Sequence, residues 1–381
     1  MSSFEEVVKL ANVISKEYFL CDHCLGRLFS NTLHLSSNKR LGKKLQKNKT
    51  KNNLQCYICK NFFSNLSNFL NLMINQSSKY SFSTFSVGTI IKPSIVDRDD
   101  FIRSKFKLKR IDSIKTDITK ELGTLFSKKT GKILEPFDPD LTFTLHLKDN
   151  ECFIRSKSIV ISGRYVKLLR GIPQKQQSCQ NCSGKGCREC SYHGINRFDS
   201  VEGLISKFLF DAVGGTTAKF TWIGGEDKSS LVLGNGRPFF AKIQNPNKRK
   251  ISQRTANLES IKITRLKIIN KSPTRPLSFY SSLKVRIRTD SIDSSSLRNL
   301  KSLKLEPIIV YEKSGKRLVK HISSLKYLKK SNNELLLFIQ ADGGLPVKRF
   351  VIGDEVNPSV SSTLNTSCSC ERFDILGVEI K

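Results

Sequence analysis

The chain has 381 residues, and its 65 Lys and Arg against 33 Asp and Glu give a formal net charge of +32 at pH 7. Its 24 Phe and a hydrophobic content of 38% are enough to build packed cores, which excludes wholesale disorder, and the length predicts two or more domains. The charge predicts a polyanionic partner. Nucleic acid is the first candidate and an anionic membrane surface the alternative, although no stretch approaches the ~20 apolar residues of a membrane span.

The chain begins with a sequence typical of a helix. Ser3 and Glu6 form a capping box, and the apolar residues around them recur on one helical face: Phe4, Val7, Val8, Ala11 and Ile14. A secretory signal would need basic residues where Glu5 and Glu6 stand, together with a longer apolar run. We therefore expect a cytoplasmic protein whose eleven cysteines serve as metal ligands or free thiols, and not as disulfides.

Two Cys-x-x-Cys pairs flank a run rich in Lys, Asn and Ser at residues 36–55: Cys21/Cys24 and Cys56/Cys59. The intervening run predicts a solvated loop. Zinc binds four thiolates in a tetrahedron, and each Cys-x-x-Cys turn can present two sulfurs to one metal. The pairs therefore predict a closed structural zinc site, with free core thiols as the alternative reading and His23 as an alternative ligand.

Strands and helices then alternate up to about residue 161. Apolar residues from Phe62 to Met73 recur with helical spacing, and a second helix is predicted near residues 111–130, ending at Gly131. The segments "YSFSTFSVGTII" and "LTFTLHLKD" have the composition of strands. This alternation predicts an α/β module, with a domain boundary near residues 165–175.

A second set of cysteines follows that boundary in "CQNCSGKGCREC": Cys179, Cys182, Cys187 and Cys190. Gly184 and Gly186 can adopt the positive φ angles that a short connection needs to fold back. Ligand type and spacing predict a second structural zinc site, with an iron–sulfur site as the minor alternative.

The C-terminal half is mostly strand. Ser200 is predicted to cap a helix that runs through Val213 and ends at Gly214. Many strand-like segments follow, with "LVLGNGRPFFAKI" predicted as a hairpin, so this half is predicted to be an α+β domain on a mixed or antiparallel sheet. In "LKVRIR" apolar and basic residues alternate, which fits either a solvated face or an RNA-binding face.

The segment "TWIGGEDKSSLVLGNGRPFF", residues 221–240, places Asp227 after two glycines. Taken alone, this pattern favours a plain turn over a catalytic acid. The chain lacks the motifs of a P-loop NTPase, a Rossmann-type methyltransferase, a zinc hydrolase of the H-E-x-x-H type and a zinc deaminase, which disfavours those classes.

Several motifs together resemble the archaeal and eukaryotic tRNA pseudouridine synthases of the Pus-ten family. They are "CDHCLGRLFS", the later Cys-x-x-Cys, "FDPDLTFTLHL…GRYVKLLRGIPQ", "SVEGLI", "GGED…LGNGRPFFAKIQNP" and "GGLPVKRFVIGDEVNPSV", in the family order. The resemblance implies an N-terminal zinc module (1–75), a THUMP-like RNA-binding domain (76–170) and a pseudouridine synthase domain (171–381) with a four-cysteine insert (179–190).

The resemblance also implies an activity. The family isomerises uridine 54 and/or 55 in the TΨC arm of tRNA, by breaking the C1′–N1 bond, turning the uracil and rejoining it through C5. It implies structural zinc, no redox or nucleotide cofactor, tRNA as partner, no membrane and no obligate protein partner. A tRNA-binding protein of the same fold without the activity is the alternative, since a fold does not guarantee its reaction.

The motif matches imply roles for individual residues. Asp227 would be the nucleophile or the group that stabilises the developing oxocarbenium, and Lys348 would pair with it and keep it ionised. Tyr280 would stack on the flipped uracil and remove the C5 proton. Arg349 would replace Lys348 if the predicted strand around them were shifted by one residue. The substrate-binding residues implied are Tyr280, Arg237, Lys228, Arg164 and Arg349.

The sequence also departs from the family pattern. Gly225 stands where the family has an arginine before the Glu-Asp pair, and "KSSL" replaces "VDVR" after it. The late "TYIKEFVHGD" is "LPVKRFVIGD" here. Lys228 is the candidate to supply the missing positive charge. These differences concern the contacts that hold a flipped base more than the nucleophile.

Overall fold

The computed structural model describes residues 4–30, 37–46, 54–274, 276–293 and 295–381. The chain divides into two compact units, Met1–Lys157 and Ser158–Lys381. The division falls earlier than residues 165–175, because the strand at Ile159–Lys167 pairs with strands of the second unit. The three-part division at residues 75 and 170 stays a prediction.

The first unit is an α/β arrangement whose sheet has the strand order β2-β1-β3-β4, with β1 parallel to β2 and β3 and with β3 antiparallel to β4. Its elements, apart from a 3₁₀ turn at Phe62–Asn65, are α1 (Phe4–Glu17), α2 (Asp22–Arg27), α3 (Asn38–Leu45), α4 (Leu66–Ser77), β1 (Thr84–Ile90), α5 (Pro93–Lys105), α6 (Ile114–Thr130), β2 (Ile133–Leu134), β3 (Leu141–His146) and β4 (Glu151–Ser156).

The helix expected near residues 111–130 is α6. The Ser113 hydroxyl accepts a hydrogen bond from the Thr116 amide at 3.2 Å, and Gly131 ends the helix with φ of 70°. The buried face of α6 packs on the sheet through Phe126, whose ring centroid lies 4.8 Å from that of Phe85 and 5.0 Å from that of Phe143. Hydrophobic packing against β1 and β3 therefore holds this helix in place.

The expectation of a solvated loop over residues 36–55 is wrong for its middle part. Residues 38–45 form α3, which buries Leu41 and Leu45 one helical turn apart. Glycines let α3 approach α2 closely: a Cβ at Gly42 would lie 1.8 Å from the Asp22 carbonyl oxygen. Residues 47–53, like the Ser3 of the predicted capping box, lie outside the described residues.

The second unit is built on a large mixed sheet with the order β13-β14-β10-β16-β7-β5-β9-β8, to which β6 adds on β7. A small sheet has the order β12-β11-β15. The strands are β5 (Ile159–Lys167), β6 (Ala218–Trp222), β7 (Val232–Ile243), β8 (Ala256–Asn257), β9 (Ile261–Ile269), β10 (Phe279–Thr289), β11 (Ile308–Tyr311), β12 (Arg317–Lys320), β13 (Ile322–Lys329), β14 (Glu334–Asp342), β15 (Val356–Asn357) and β16 (Cys368–Ile380).

The helices of this unit are α7 (Val201–Val213), α8 (Ser296–Asn299), α9 (Val347–Ile352) and α10 (Val360–Leu364), with 3₁₀ turns at Arg188–Cys190 and Leu300–Lys304. The predicted caps of α7 are present: the Ser200 hydroxyl accepts a hydrogen bond from the Gly203 amide at 2.9 Å, and Gly214 follows with φ of 71°. The apolar face of α7 is fully buried in the core of the sheet. The expected α+β architecture is confirmed.

Two local predictions in this unit are wrong. The segment "GGLPVKRF" contains helix α9 and not a strand, because Val347, Phe350 and Val351 recur with helical spacing and are buried. The segment "LVLGNGRPFFAKI" is the single strand β7 and not a hairpin. Its glycines at 234 and 236 have φ of 56° and 70°, and they shift the register against β5 without reversing the chain.

The basic face of β10 is paired with acids. Leu283, Val285 and Ile287 are buried, as the alternation predicts. On the other face, the Arg286 Nε lies 2.6 Å from a Glu334 carboxylate oxygen on β14. This arrangement favours the solvated reading of "LKVRIR" over the RNA-binding one.

Among the described residues, no helix combines the length and apolar character needed to cross a membrane.

Candidate active site

A cleft of about 440 Å³ opens in the second unit where the turn before β7, the start of β10 and the turn before α9 meet. Its lining mixes acidic, basic and apolar side chains, which suits a ligand with both polar and apolar surface. The lining residues are Gly224, Gly225, Glu226, Asp227, Arg237, Phe279, Ser281, Leu283, Asp342, Gly344, Leu345, Pro346, Val347, Lys348, Arg349, Phe373 and Ile375.

Asp227 and Lys348 form an ion pair at this cleft, with the Lys348 Nζ 2.6 Å from the Asp227 Oδ2. The Ser229 backbone N–H and hydroxyl each donate to the Asp227 Oδ1 at 2.9 Å. The hydrogen bond from Lys348, followed by that from the Ser229 amide, lowers the pKa of Asp227 to about 2. The carboxylate is therefore ionised at neutral pH and oriented on both oxygens.

A buried network lies directly behind this pair and centres on Glu226, whose side chain is inaccessible to solvent. The Tyr165 hydroxyl donates to the Glu226 Oε2 at 2.6 Å, the Lys167 Nζ lies 3.2 Å from Oε1, and the Arg237 Nε lies 3.7 Å from Oε2. Lys167 also donates to the Asp227 carbonyl oxygen at 3.1 Å. Glu226 therefore holds the loop from within, while Asp227 faces the cleft.

The sequence reasoning missed Lys167 and Tyr165, although β5 contained the signal for them. Strand residues two apart share a face, which puts Tyr165 and Lys167 on the side of the buried Ile161. A lysine at such a position needs a buried carboxylate partner, since an unpaired charge in a core is costly. That requirement points to Glu226 in the adjacent turn.

A second feature that the sequence did not predict clamps the same loop from its other end. Arg170 and Asp374 form two parallel hydrogen bonds, NH1 to Oδ1 at 2.6 Å and NH2 to Oδ2 at 2.8 Å. The Arg170 NH1 also donates to the Ser229 carbonyl oxygen at 2.6 Å, and the Leu231 amide donates to Asp374 at 3.0 Å. The loop that carries Asp227 is thus fastened to β16.

Phe279 and Phe373 are the aromatic residues in the lining of the cleft, and the ring of Phe279 packs against two glycines. Two glycines make room for its ring: a Cβ would lie 2.8 Å from the ring at Gly224 and 2.4 Å from it at Gly343. Gly225 differs, because a Cβ there would meet only the Gln174 Oε1, at 3.9 Å. The position of the missing family arginine is therefore open to a side chain.

The structure does not bring Tyr280 into this cleft. Its neighbours Phe279 and Ser281 line the cleft, and adjacent side chains of a strand point to opposite faces. Tyr280 is 38% exposed, and the Lys381 Nζ lies 4.2 Å from its ring centroid. The aromatic side chains that line the cleft are therefore Phe279 and Phe373. The chemical part of Tyr280 stays a prediction.

The other sequence-predicted binding residues divide into two groups. Arg237 lines the cleft with a buried guanidinium, as its place in β7 requires. Arg349 lines it too, but its NH2 donates to the Tyr311 carbonyl oxygen at 2.7 Å. Arg164 donates to the Asn235 and Gly236 carbonyl oxygens at 2.7 and 3.0 Å, so it fastens the β7 bend and is not free for a substrate.

Lys228 lies next to the catalytic candidate in sequence and outside the cleft. Its side chain is exposed, and it is not among the lining residues. Its carbonyl oxygen accepts a hydrogen bond from the Gly171 amide at 2.9 Å, which fixes the backbone of the loop. A charge at Lys228 could therefore act at the rim, but it does not occupy the place of the family arginine.

Both cysteine clusters have the geometry of a four-thiolate metal site. In each, the four sulfurs lie within 4.8 Å of one another: Cys21, Cys24, Cys56 and Cys59 in the first unit and Cys179, Cys182, Cys187 and Cys190 in the second. Four thiolates about 2.3 Å from one zinc stand about 3.8 Å apart. The Cys182–Cys190 sulfur distance is 3.9 Å. The donor sets therefore fit a tetrahedral metal ion.

Backbone groups support the second cluster. The Gly186 amide donates to the Cys182 Sγ at 3.2 Å, and the Cys187 and Gly194 amides donate to the Cys190 Sγ at 3.2 Å. Such donors favour the thiolate form that metal binding needs. Gly184 and Gly186 have the expected positive φ angles, 85° and 93°.

His23 is not part of the first cluster. Its ring stacks on Phe63 with centroids 4.4 Å apart and an interplanar angle of 1°. Burial lowers the pKa of His23, because desolvation disfavours the charged ring. Among the described residues, the donor set consists of the four cysteines.

Comparison with known proteins places this chain in a family. A family model described as Pus10, C-terminal, matches residues 160–379, and one described as Pus10 THUMP domain, archaeal, matches residues 69–146. The protein named tRNA pseudouridine synthase Pus10 from Nitrosopumilus maritimus is 62% identical over 382 residues, covering 100% of both chains. Proteins of the same name from Cenarchaeum symbiosum and Methanocaldococcus jannaschii are 33% and 29% identical; each match covers 96% of this chain, and they cover 90% and 93% of the relatives. The chain belongs to the Pus10 family of tRNA pseudouridine synthases.

Proposed function

We propose that this protein converts uridine 54 and/or 55 in the TΨC arm of tRNA to pseudouridine, with Asp227 as the catalytic carboxylate. The observation that carries the proposal is the ionised Asp227 carboxylate at the cleft, held by Lys348 at 2.6 Å and by Ser229. Glu226, the other acid of the turn, is buried and paired, so Asp227 is the carboxylate of this turn that faces the cleft. Asp342 also lines the cleft, but its two oxygens are held by Lys381 at 3.1 Å and by the His321 amide at 2.9 Å.

A uridine has to leave its stack to reach this site, and the cleft lining suits a flipped base. The Phe279 ring offers a face for stacking, and the buried Arg237 guanidinium offers donors for the oxygen atoms of uracil. Lys348 and Arg349 place positive charge at the entrance, where the flanking phosphates would lie.

The reaction is an isomerisation. The C1′–N1 bond breaks, Asp227 acts as the nucleophile or stabilises the positive charge on the reacting centre, and the uracil turns within the cleft. A C1′–C5 bond forms, the proton on C5 leaves, and N1 gains a proton. No electrons are gained or lost in sum, so the chemistry requires no redox partner.

The direct test is incubation of an unmodified tRNA transcript with the purified protein alone, followed by carbodiimide labelling and primer extension. We expect stops at uridine 54, uridine 55 or both with wild-type protein, and none with Asp227→Asn. Equal stops with both proteins would remove Asp227 from the chemistry.

A tRNA-binding protein without this activity is the second candidate, favoured by Gly225, which stands where the family has an arginine. It predicts tight, salt-dependent binding of the transcript and unchanged uridines in the same experiment. The two candidates are therefore separated by the primer-extension stops alone.

We further propose that both cysteine clusters bind structural zinc. All four positions of each site would be filled by cysteine, which leaves no open coordination position for catalysis. Metal analysis of the purified protein should find about two zinc ions per chain. Replacing Cys21 and Cys24 by Ser should lower the stability of the first unit and leave about one zinc ion, whereas an unchanged metal content would contradict the assignment.

A further inference from the structure

A second basic surface lies outside the cleft, in a groove between the segment after β7 and strand β9. Its volume is about 780 Å³. We call it the basic groove, and its lining residues are Arg249, Lys250, Ile251, Arg254, Thr255, Arg265, Leu266, Lys267 and Ile268. None of these residues is acidic. A concave surface lined by cationic and apolar side chains is suited to a phosphodiester backbone.

The charge of the groove is largely uncompensated. Within the described residues, Lys250, Arg254 and Lys267 are exposed and form no ion pair. The positive charges of Lys250, Arg254 and Lys267 are therefore concentrated here without ion-pair partners among the described residues. Such concentrations raise the local potential and attract polyanions.

The strand register places further lysines on strands near the groove. Lys219 on β6 is directly opposite Lys242 on β7, and Lys242 is opposite Val160 on β5. Ser162, two residues further along β5, is opposite Lys267. Lys219, Lys242 and Lys267 therefore share the face of Val160 and Ser162, opposite to the face of the core residue Ile161. Val160 and Ser162 are buried, with Lys219 and Lys242 on one side of β5 and Lys267 on the other. We call these three residues the lysine row.

The pair Lys219 and Lys242 is unfavourable in the free protein. Directly opposed residues of an antiparallel pair lie about 5 Å apart, and like charges at that spacing repel each other. Both side chains are exposed, and no described acid pairs with either of them. A bound polyanion would relieve this repulsion, so the arrangement fits a binding surface better than an ordinary solvated face.

We propose that the basic groove and the lysine row form a second contact surface for the RNA backbone, separate from the cleft. This inference rests on the proposed function, since a tRNA extends far beyond the single nucleotide that the cleft can hold. The surface would bind phosphates without reading bases and would position the substrate for the cleft.

The test uses the full-length protein and an unmodified tRNA transcript. In the groove variant, Lys250, Arg254 and Lys267 are replaced together by Gln. In the control variant, three other exposed lysines are replaced by Gln: Lys301, Lys304 and Lys313. The dissociation constant is measured by fluorescence anisotropy over a range of salt concentrations. The groove variant should bind at least about tenfold more weakly near 0.15 M salt, and its log–log salt slope should fall by about two to three.

The groove variant should keep its single-turnover rate once the protein saturates the RNA. Equal shifts in both variants, or no shift in the groove variant, would overturn the proposal. The proposal would also be overturned if the groove variant lost binding to anionic phospholipid vesicles while its tRNA binding stayed unchanged. Failure of wild-type protein to form pseudouridine would contradict the proposed function and still leave the binding comparison decisive. If the triple variant does not fold, Arg254→Gln and Lys267→Gln singly should each reduce the slope by about one.

The lysine row has a separate test, in which one substitution should stabilise the free protein and weaken its binding to tRNA. Lys242→Gln should raise the unfolding temperature of the free protein by about 1–3 °C and weaken tRNA binding. Adding Lys219→Gln should raise the unfolding temperature little further, because one substitution already removes the repulsion. A lower or unchanged unfolding temperature for Lys242→Gln, or unchanged binding, would remove the row from the surface.

Discussion

The clamp between Arg170 and Asp374 gives a prediction that separates positioning from binding. Arg170→Lys keeps the charge and removes the planar fork, so one of the two parallel hydrogen bonds to Asp374 and the bond to the Ser229 carbonyl oxygen are lost. Charge-assisted hydrogen bonds contribute about 1.5–3 kcal/mol each. Because the Arg170 side chain is 32% exposed, we expect the free energy of unfolding to fall by only about 1–3 kcal/mol.

The loss should affect the rate more than the affinity. The clamp holds the loop that carries Asp227, and a displacement of about 1 Å at a reacting group can cost on the order of 100-fold in rate. We expect the single-turnover rate of Arg170→Lys to fall about 10- to 100-fold while the dissociation constant for tRNA changes by less than about twofold. Chemical denaturation and single-turnover pseudouridine formation measure the two effects.

Two controls make this prediction specific. Asp374→Asn should produce the same rate loss, and the double variant should lose little more than either single variant, because both remove one clamp. Arg286→Lys changes an ion pair with Glu334 outside the cleft and should leave the rate unaltered. A stability loss with an unchanged rate for Arg170→Lys would refute the positioning role.

Two further predictions concern the cleft itself. Gly225→Arg should fold as stably as wild type, because the nearest atom to an added Cβ is 3.9 Å away, and it should tighten tRNA binding; a loss of several degrees in unfolding temperature would contradict the open position. Lys348→Gln removes the main cause of the lowered pKa of Asp227, so that pKa should rise from about 2 toward its ordinary value of 3.8. The ionised form is lost only as pH falls through the folded-state pKa, so the rate ratio of variant to wild type should be constant from about pH 6 to about pH 8 in a pH–rate profile. A variant whose rate recovers as pH rises above about 7 would show instead that Lys348 is needed for ionisation.

The parts of the fold that the sequence predicted well are those in which local pattern and tertiary packing agree. Helix α6 has both a Ser113 cap and a Gly131 stop, and α7 has Ser200 and Gly214 in the same places. The alternation in β10 marks its buried face. In such segments each residue's own preference already matches its surroundings.

The failures occur where packing outweighs composition. Helix α3 lies in a run rich in Lys and Asn, and only Leu41 and Leu45, together with the close approach at Gly42, reveal its contact with α2. In β7 the glycines bend one strand, because pairing with β5 continues on both sides of the bend. Hydrogen bonding to β5 therefore makes this segment one strand, although its Gly-Asn-Gly composition is typical of a hairpin turn.

The sequence predicted the ion pair of the candidate site but not the residues that hold it in place. The pairing of Asp227 with Lys348, expected from motif matches, is present in the structure even though Lys348 lies on a helix. The network behind it was not predicted, because no motif match pointed to it. The sheet brings Lys167 to the Asp227 carbonyl oxygen and Asp374 to the Leu231 amide at the end of the same loop. Which aromatic residue of β10 faces the cleft depends on the phase of that strand, and a one-residue difference exchanges Tyr280 for Phe279.

The most direct test of the account is proton release from the reacting base. Formation of the C1′–C5 bond expels the hydrogen on C5, so a tRNA transcript carrying tritium at C5 of its uridines should release tritium to water when treated with wild-type protein. Asp227→Asn should bind the transcript equally well and release none, because the amide keeps the shape of the side chain without its charge. Tritium release by Asp227→Asn at the wild-type rate would contradict the central claim that the Asp227 carboxylate performs the isomerisation.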